Sequence, residues 1–278
     1  MAKALVTPSW LENRLNKEKV VVLDASLELM IPGAPEPAHA GFIPGSLRFD
    51  YDKVICDKQS PLPHMMPTEV EFQHHIRSLG IDQDTTVVVY DQAGTYASPR
   101  AWWMFKSMGF NSIYLLEGGL RAWINSGRRT VCSLSKSTHF GNAIAKLNSN
   151  FVCSSLDVLN AISKENHFTF DARSRARYEG KAKEPRVGVR SGHIPGSHNM
   201  PFTEMMNGFY FKPVNELAHL FNKMGIHSSS TLIFSCGSGV TAAILAVAAY
   251  ESGYTNFAVY DGSWTEWGQA IELPVEVG

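Results

Sequence analysis

Short runs of β-branched and aromatic residues recur along the chain, each closed by a polar residue. Val20-Val21-Val22-Leu23 runs into Asp24, and Thr86-Val87-Val88-Val89-Tyr90 into Asp91. Phe168-Thr169-Phe170 runs into Asp171, and Leu232-Ile233-Phe234-Ser235 into Cys236. These short runs of β-branched and aromatic residues are of strand length, which predicts buried strands. Ser98 to Met108 and Thr241 to Ser252 are mostly apolar and long enough for buried helices, with Gly109 and Gly253 as their C-terminal stops. A strand follows each helix, at Ser112 to Leu116 and at Phe257 to Tyr260. Strands alternating with helices predict an α/β fold: a central, mostly parallel sheet with helices on both faces.

The pattern occurs twice. Asp24-Ala25 is answered by Asp171-Ala172, and Gly41-Phe42-Ile43-Pro44-Gly45 by Gly192-His193-Ile194-Pro195-Gly196. Asp91 is answered by Cys236, and Glu117-Gly118-Gly119-Leu120-Arg121-Ala122-Trp123 by Asp261-Gly262-Ser263-Trp264-Thr265-Glu266-Trp267. The offsets are 147, 151, 145 and 144 residues. Four markers in one order at near-constant spacing indicate an internal duplication. Two similar domains are therefore expected, over residues 1–130 and 151–278. The Ser-, Asn- and Gly-containing stretch 131–150 between them reads as a linker.

Composition narrows the possible functions. The 278 residues carry 25 Lys and Arg against 26 Asp and Glu, so neither nucleic acid nor an acidic membrane is an expected partner. No apolar run reaches bilayer length, and the first residues lack the apolar core of a secretory signal, so a cytoplasmic protein is expected. None of the four cysteines (Cys56, Cys132, Cys153 and Cys236) belongs to a Cys-x-x-Cys pair, so neither a disulfide framework nor a zinc site is expected. No cofactor is implied. Neutrality conceals one cluster: Arg173, Arg175, Arg177, Lys181, Lys183, Arg186 and Arg190 are opposed locally only by Glu179 and Glu184. Taken alone, such a run reads as a solvated loop.

The two copies differ chemically after the central strand. Asp91-Gln92-Ala93-Gly94 stands in the first, Cys236-Gly237-Ser238-Gly239-Val240-Thr241 in the second. That places Cys236 at the C-terminal end of a buried parallel strand, where open α/β sheets bind ligands. The glycines let the loop amides of Gly237, Gly239, Val240 and Thr241 curl toward an anion at a helix N-terminus. A thiolate is such an anion, and Cys236 is expected to be a low-pKa nucleophile. A phosphatase loop would need an arginine six residues after the cysteine, where Ala242 stands. A papain-like site would need a histidine paired to the cysteine; His193 and His198 are read as structural instead.

These motifs resemble the rhodanese superfamily of tandem-domain sulfurtransferases, over nearly the whole chain. The resemblance rests on Gly-His-Ile-Pro-Gly, the six-residue loop and the Gly-x-x-x-x-Trp that closes each copy. It implies a first domain without catalysis, Asp91 standing in the cysteine's place, and a catalytic second domain. Cys-Gly-Ser-Gly-Val-Thr is similar to the branch that uses 3-mercaptopyruvate; thiosulfate users typically carry basic residues directly after the cysteine. A carboxylate several bonds from the transferred sulfur calls for positive charge away from the loop, and the 173–190 stretch can supply it. The resemblance points to Arg177 and Arg186 as the pair on the carboxylate and carbonyl, with weaker claims for Arg173, Arg175 and Arg190. It also implies a proton relay of Ser238 with Asp52 and His64 from the first domain, Asp50 being a rival to Asp52. The implied reaction passes sulfur through a Cys236 persulfide to a thiol, a thioredoxin-like protein or cyanide and releases pyruvate. A thiosulfate:cyanide sulfurtransferase and a module that only binds partners or carries persulfide remain the alternatives.

Overall fold

The computed structural model describes residues 3–15, 17, 19–28 and 30–278. The chain separates into two compact units. The first gathers the residues up to Gln59, Met66–Asn148 and Met206–Phe211; the second gathers Ser60–Met65, Ser149–Met205 and Lys212–Gly278.

In the first half of the chain the elements are β1 (Leu5–Val6), α1 (Pro8–Glu12), β2 (Val20–Asp24), β3 (Leu47–Arg48) and α2 (Glu69–Ser78). They continue with β4 (Thr86–Tyr90), α3 (Ser98–Ser107), β5 (Ile113–Leu116) and α4 (Gly119–Asn125). The strands form a parallel sheet in the order β1-β5-β4-β2-β3. Side chains alternate across it. Val88 and Tyr90 of β4 join Leu11, Leu120 and Trp123 under α1 and α4. Phe49, Phe72, Phe105 and Phe110 pack on one another between α2 and α3. A central strand covered on both sides has no polar face, which is why β4 reads as an unbroken apolar run.

The second half repeats this plan with β6 (Val152–Cys153), α5 (Ser155–Ala161), β7 (His167–Asp171), α6 (Arg175–Tyr178) and β8 (His198–Asn199). A hairpin of β9 (Met206–Asn207) and β10 (Tyr210–Phe211) follows. Then come α7 (Val214–Lys223), β11 (Thr231–Ser235), α8 (Ala242–Glu251), β12 (Phe257–Tyr260) and α9 (Ser263–Trp267). The parallel order β6-β12-β11-β7-β8 is that of the first sheet, element for element. Ile233 of β11 packs with Trp264 and Trp267 on one face. Phe234 packs with Phe170, Phe221 and Phe257 on the other. The hairpin belongs with the first unit: Thr95 Oγ1 donates to Phe209 O at 3.2 Å and Tyr96 Oη to Gly208 O at 2.6 Å.

The Gly-x-Ile-Pro-Gly motifs have a steric cause. In each unit the chain leaving the last helix returns antiparallel to this segment, Val131 bridging Phe42 and Glu276 bridging His193. A Cβ on Gly41 would lie 2.5 Å from Val131 O, and one on Gly192 2.3 Å from Glu276 O; both glycines have positive φ, +90° and +122°. Only glycine meets both demands. Residues 131–148 do not hang free. Ser135 N–H donates to Ser46 O at 2.8 Å, Gly141 to Arg77 O at 2.7 Å, Lys146 to Met108 O at 3.0 Å and Asn148 to Ser107 O at 2.7 Å. The stretch lacks apolar periodicity because hydrogen bonds of its backbone hold it to the first unit, with only Gly141, Ala143 and Ala145 buried. Among the described residues no helix is long and apolar enough to cross a membrane.

Candidate active site

The first unit shows what the loop after the central strand is built to hold. Asp91 is buried, and its carboxylate accepts from the N–H of Ala93 at 3.0 Å, Tyr96 at 2.9 Å, Ala97 at 3.0 Å and Ser98 at 2.8 Å, and from Ser98 Oγ at 2.7 Å. Burial pushes its pKa up, and the donors of Ser98, Tyr96 and Ala97 pull it back. Amides at a helix start thus enclose a carboxylate supplied by the chain itself.

Cys236 stands at the same point of the second unit, one residue past β11 and 2% exposed. Its loop runs to the first turn of α8 with Gly239 in the left-handed region at φ +77°. The N–H groups of Gly237, Ser238, Val240 and Thr241 donate to no described residue. The loop is anchored from α9 instead. Trp264 N–H donates to Cys236 O at 2.9 Å, and Thr265 donates to Gly237 O through its N–H at 2.9 Å and through its Oγ1 at 2.5 Å. Cys236 N–H donates to Ser263 Oγ at 3.2 Å. Carbonyls are thereby fixed from below while four loop amides remain available to an anion. Ser238 is half-buried in mid-loop, and Val240 is buried.

The basic stretch divides. Arg173 is 2% exposed, not solvated surface. Its guanidinium binds Asp171 through Nε and Nη2, Glu184 Oε1 through Nη1 at 2.9 Å and Gly192 O at 2.7 Å, and lies 4.4 Å above the Trp264 ring. Arg190 is likewise structural, donating to the carbonyls of Trp267, Gly268, Ala270 and Leu273. The solvated-loop expectation fails for both, because the acids and carbonyls that pair them are folded beneath them. Arg177, on α6, pairs with Glu184 through Nε and Nη2. Its Nη2 lies 3.2 Å from where a Cβ on Gly237 would stand. One cation therefore lies against the loop itself, where the sequence argument called for charge at a distance. Arg186 is half-buried in the loop after α6 and makes no hydrogen bond or ion pair among the described residues.

A model of the Rhodanese-like domain matches the chain twice, over residues 7–126 and 155–270. The chain belongs to the rhodanese family. The 3-mercaptopyruvate sulfurtransferase of Escherichia coli strain K12 is 36% identical to it, over 98% of this chain and 97% of that one. The mouse enzyme of the same name is 37% identical, over 95% and 92%. The thiosulfate sulfurtransferase of Gallus gallus is 34% identical, over 96% and 94%. The crystal structure of SseA from Escherichia coli, described as a 3-mercaptopyruvate sulfotransferase, superposes with a TM-score of 0.81 at 32% identity, covering 94% of this chain and 99% of that one. The chain is accordingly a sulfurtransferase of the rhodanese family, with two rhodanese domains.

The residues assigned to proton transfer fall in different units of this rhodanese. Residues 60–65, and His64 with them, belong to the second unit, whereas Asp52 belongs to the first. His64 is half-buried with φ +62°. Asp50, the rival, is committed to its own turn: its Oδ1 accepts from the N–H of Asp52 at 3.1 Å and of Lys53 at 2.9 Å. His193 is structural, stacked on Tyr178 at 3.8 Å, and His198 lies against Phe168 and Phe170. Burial pushes the thiols of Cys56 and Cys153 up, away from thiolate chemistry. Ser263, Thr265 and Glu184 escape a sequence reading. The first two lie inside the Gly-x-x-x-x-Trp marker, which reads only as the close of the copy, and Glu184 counts only as an opposing charge.

Proposed function

We propose that the protein moves the sulfur of 3-mercaptopyruvate to a thiol or to cyanide through a persulfide on Cys236. The observation that carries this reading is the exchange of Asp91 for Cys236. One copy of the loop encloses a carboxylate of its own, while the other presents a thiol with the amides of Gly237, Ser238, Val240 and Thr241 undonated.

In the first half-reaction the Cys236 thiolate attacks the substrate sulfur. The carbon–sulfur bond breaks, and its electron pair goes to the enolate of pyruvate. The enolate takes a proton at its methylene carbon, and the sulfur stays on Cys236 as a persulfide. A negative outer sulfur is stabilised by the loop amides and the N-terminus of α8, which spans ten residues. In the second half-reaction an acceptor thiolate, small or on a thioredoxin-like protein, or cyanide attacks the outer sulfur and restores the Cys236 thiolate. Arg177 and Arg186 hold the carboxylate and carbonyl, for which a planar guanidinium is suited. Ser238, His64 and Asp52 deliver the proton. A thiol-reducing cytoplasm suits a cycle that alternates thiolate and persulfide.

Thiosulfate is the competing donor, favoured by the position of the Arg177 guanidinium beside Gly237, where it can meet a second negative charge near the transferred sulfur. The deciding measurement compares kcat/KM for the two donors with cyanide as acceptor; a higher value for thiosulfate overturns the assignment. Mass spectrometry after donor treatment tests the intermediate. A gain of about 32 Da on Cys236, absent in Cys236→Ser, is the expected result. No adduct with either donor would return the protein to a partner-binding role.

A further inference from the structure

We propose that Glu184 is a positioning residue for Arg177, and through it sets the affinity for the α-keto carboxylate; this rests on the reading of Arg177 as a substrate-gripping side chain. The Glu184 side chain is 3% exposed and takes two guanidinium groups at once. Its Oε1 accepts from Arg173 Nη1 at 2.9 Å and Arg177 Nε at 3.1 Å, and its Oε2 accepts from Arg177 Nη2.

The far end of this chain of charges is immobile. Arg173 is clamped by Asp171, by Gly192 O and by the Trp264 ring, and Trp264 N–H holds the Cys236 carbonyl. The near end is the more exposed one: the Arg177 side chain is 25% exposed and borne on a four-residue helix. An arginine so placed samples many rotamers unless its fork is held. Glu184 holds it side-on, by Nε and Nη2, so that Nη1 has no partner among the described residues and remains for a ligand. The same contact sets the guanidinium against the backbone of Gly237. The charges alternate along Asp171, Arg173, Glu184 and Arg177. Two carboxylates and two guanidiniums sum to zero, so Arg177 meets a ligand through its Nη1 and not through a surplus of positive charge.

The opposite role is also chemically sensible: a carboxylate on Arg177 could compete with the substrate's carboxylate. The two roles predict opposite signs. Steady-state kinetics with 3-mercaptopyruvate are to be measured for Glu184→Gln, Arg177→Lys and the double variant, alongside thermal midpoints. Positioning predicts that KM rises about tenfold in Glu184→Gln with kcat within about twofold. It also predicts that the double variant is no worse than Arg177→Lys alone, since Glu184 acts through Arg177. A KM that is unchanged or lower in Glu184→Gln, or additive losses in the double variant, overturns the proposal. If KM is unchanged in Arg177→Lys, Arg177 itself leaves the substrate site and the proposal goes with it. A raised KM there beside an unaltered Glu184→Gln removes Glu184 alone. Should Glu184→Gln fail to fold, Glu184→Asp keeps the charge on a shorter stem and carries the same test. An intermediate KM is then expected, and a wild-type KM sinks the idea.

Discussion

The hydroxyl of Ser263 ties the Cys236 backbone to the strand beside it: its Oγ accepts from Cys236 N–H at 3.2 Å and donates to Tyr260 O at 2.8 Å. Ser263 does this from a left-handed backbone, φ +50°, where the other copy of the motif has Gly119 at φ +56°. A non-glycine residue in this region carries a cost of roughly 1–2 kcal/mol. Here its side chain recovers a buried amide and a buried carbonyl. Ser263→Ala keeps the strain and loses both bonds, so it should destabilise the protein by about 1–3 kcal/mol and lower kcat. Ser263→Gly relieves the strain and should lie between Ala and wild type. Thermal midpoints of the three proteins check the order; Gly falling below Ala would show that the backbone is not strained.

The enclosed carboxylate of Asp91 should make the first unit intolerant of its replacement. Asparagine puts an NH₂ among amide donors, and the expected loss is about 1–3 kcal/mol at neutral pH. The pH dependence has a definite sign. Burial raises the Asp91 pKa in the folded protein, so the folded state binds this proton more tightly than the unfolded chain. Its contribution is fully present below the ordinary carboxylate pKa and is lost as pH rises through the raised one. The gap between wild type and Asp91→Asn should therefore widen on acidification across that window. Denaturant unfolding of both proteins at several pH values measures it.

Gly237 has room for a methyl group only if Arg177 gives way, because a Cβ there would stand 3.2 Å from Nη2. Gly237→Ala should raise KM for 3-mercaptopyruvate several-fold with little change in stability. Arg186→Ala should raise it more, by about tenfold to a hundredfold for a lost carboxylate contact. A KM for Arg186→Ala equal to wild type would take that residue out of the site.

His64→Asn tests the relay without disturbing the turn, since asparagine also adopts the left-handed backbone that His64 holds at φ +62°. If His64 handles the proton, kcat should fall by about a hundredfold. An unaltered kcat would leave Ser238 and solvent as the proton source.

Much of this was legible in one sequence, because duplication and burial leave marks on it. A strand covered on both faces has no solvent-facing polar row, so β2, β4, β7 and β11 stand out as runs rich in β-branched and aromatic residues. Gly41 and Gly192 recur because a returning backbone excludes any side chain there. Cys236 was legible as the thiol that stands where the matching loop has Asp91. Tertiary structure alone decided which charges face water. Arg173 and Glu184 lie eleven positions apart in a stretch that reads as a solvated loop, yet fold into one buried network with Asp171. Ser263 meets the Cys236 amide from 27 residues away, and residues 131–148 are held largely through their own backbone, by carbonyls and by side chains such as Gln73, Gln83 and Arg77, which leaves no apolar period in the stretch. Sequence records the periodicity of burial, whereas ion pairs and backbone hydrogen bonds depend on distances that only folding sets.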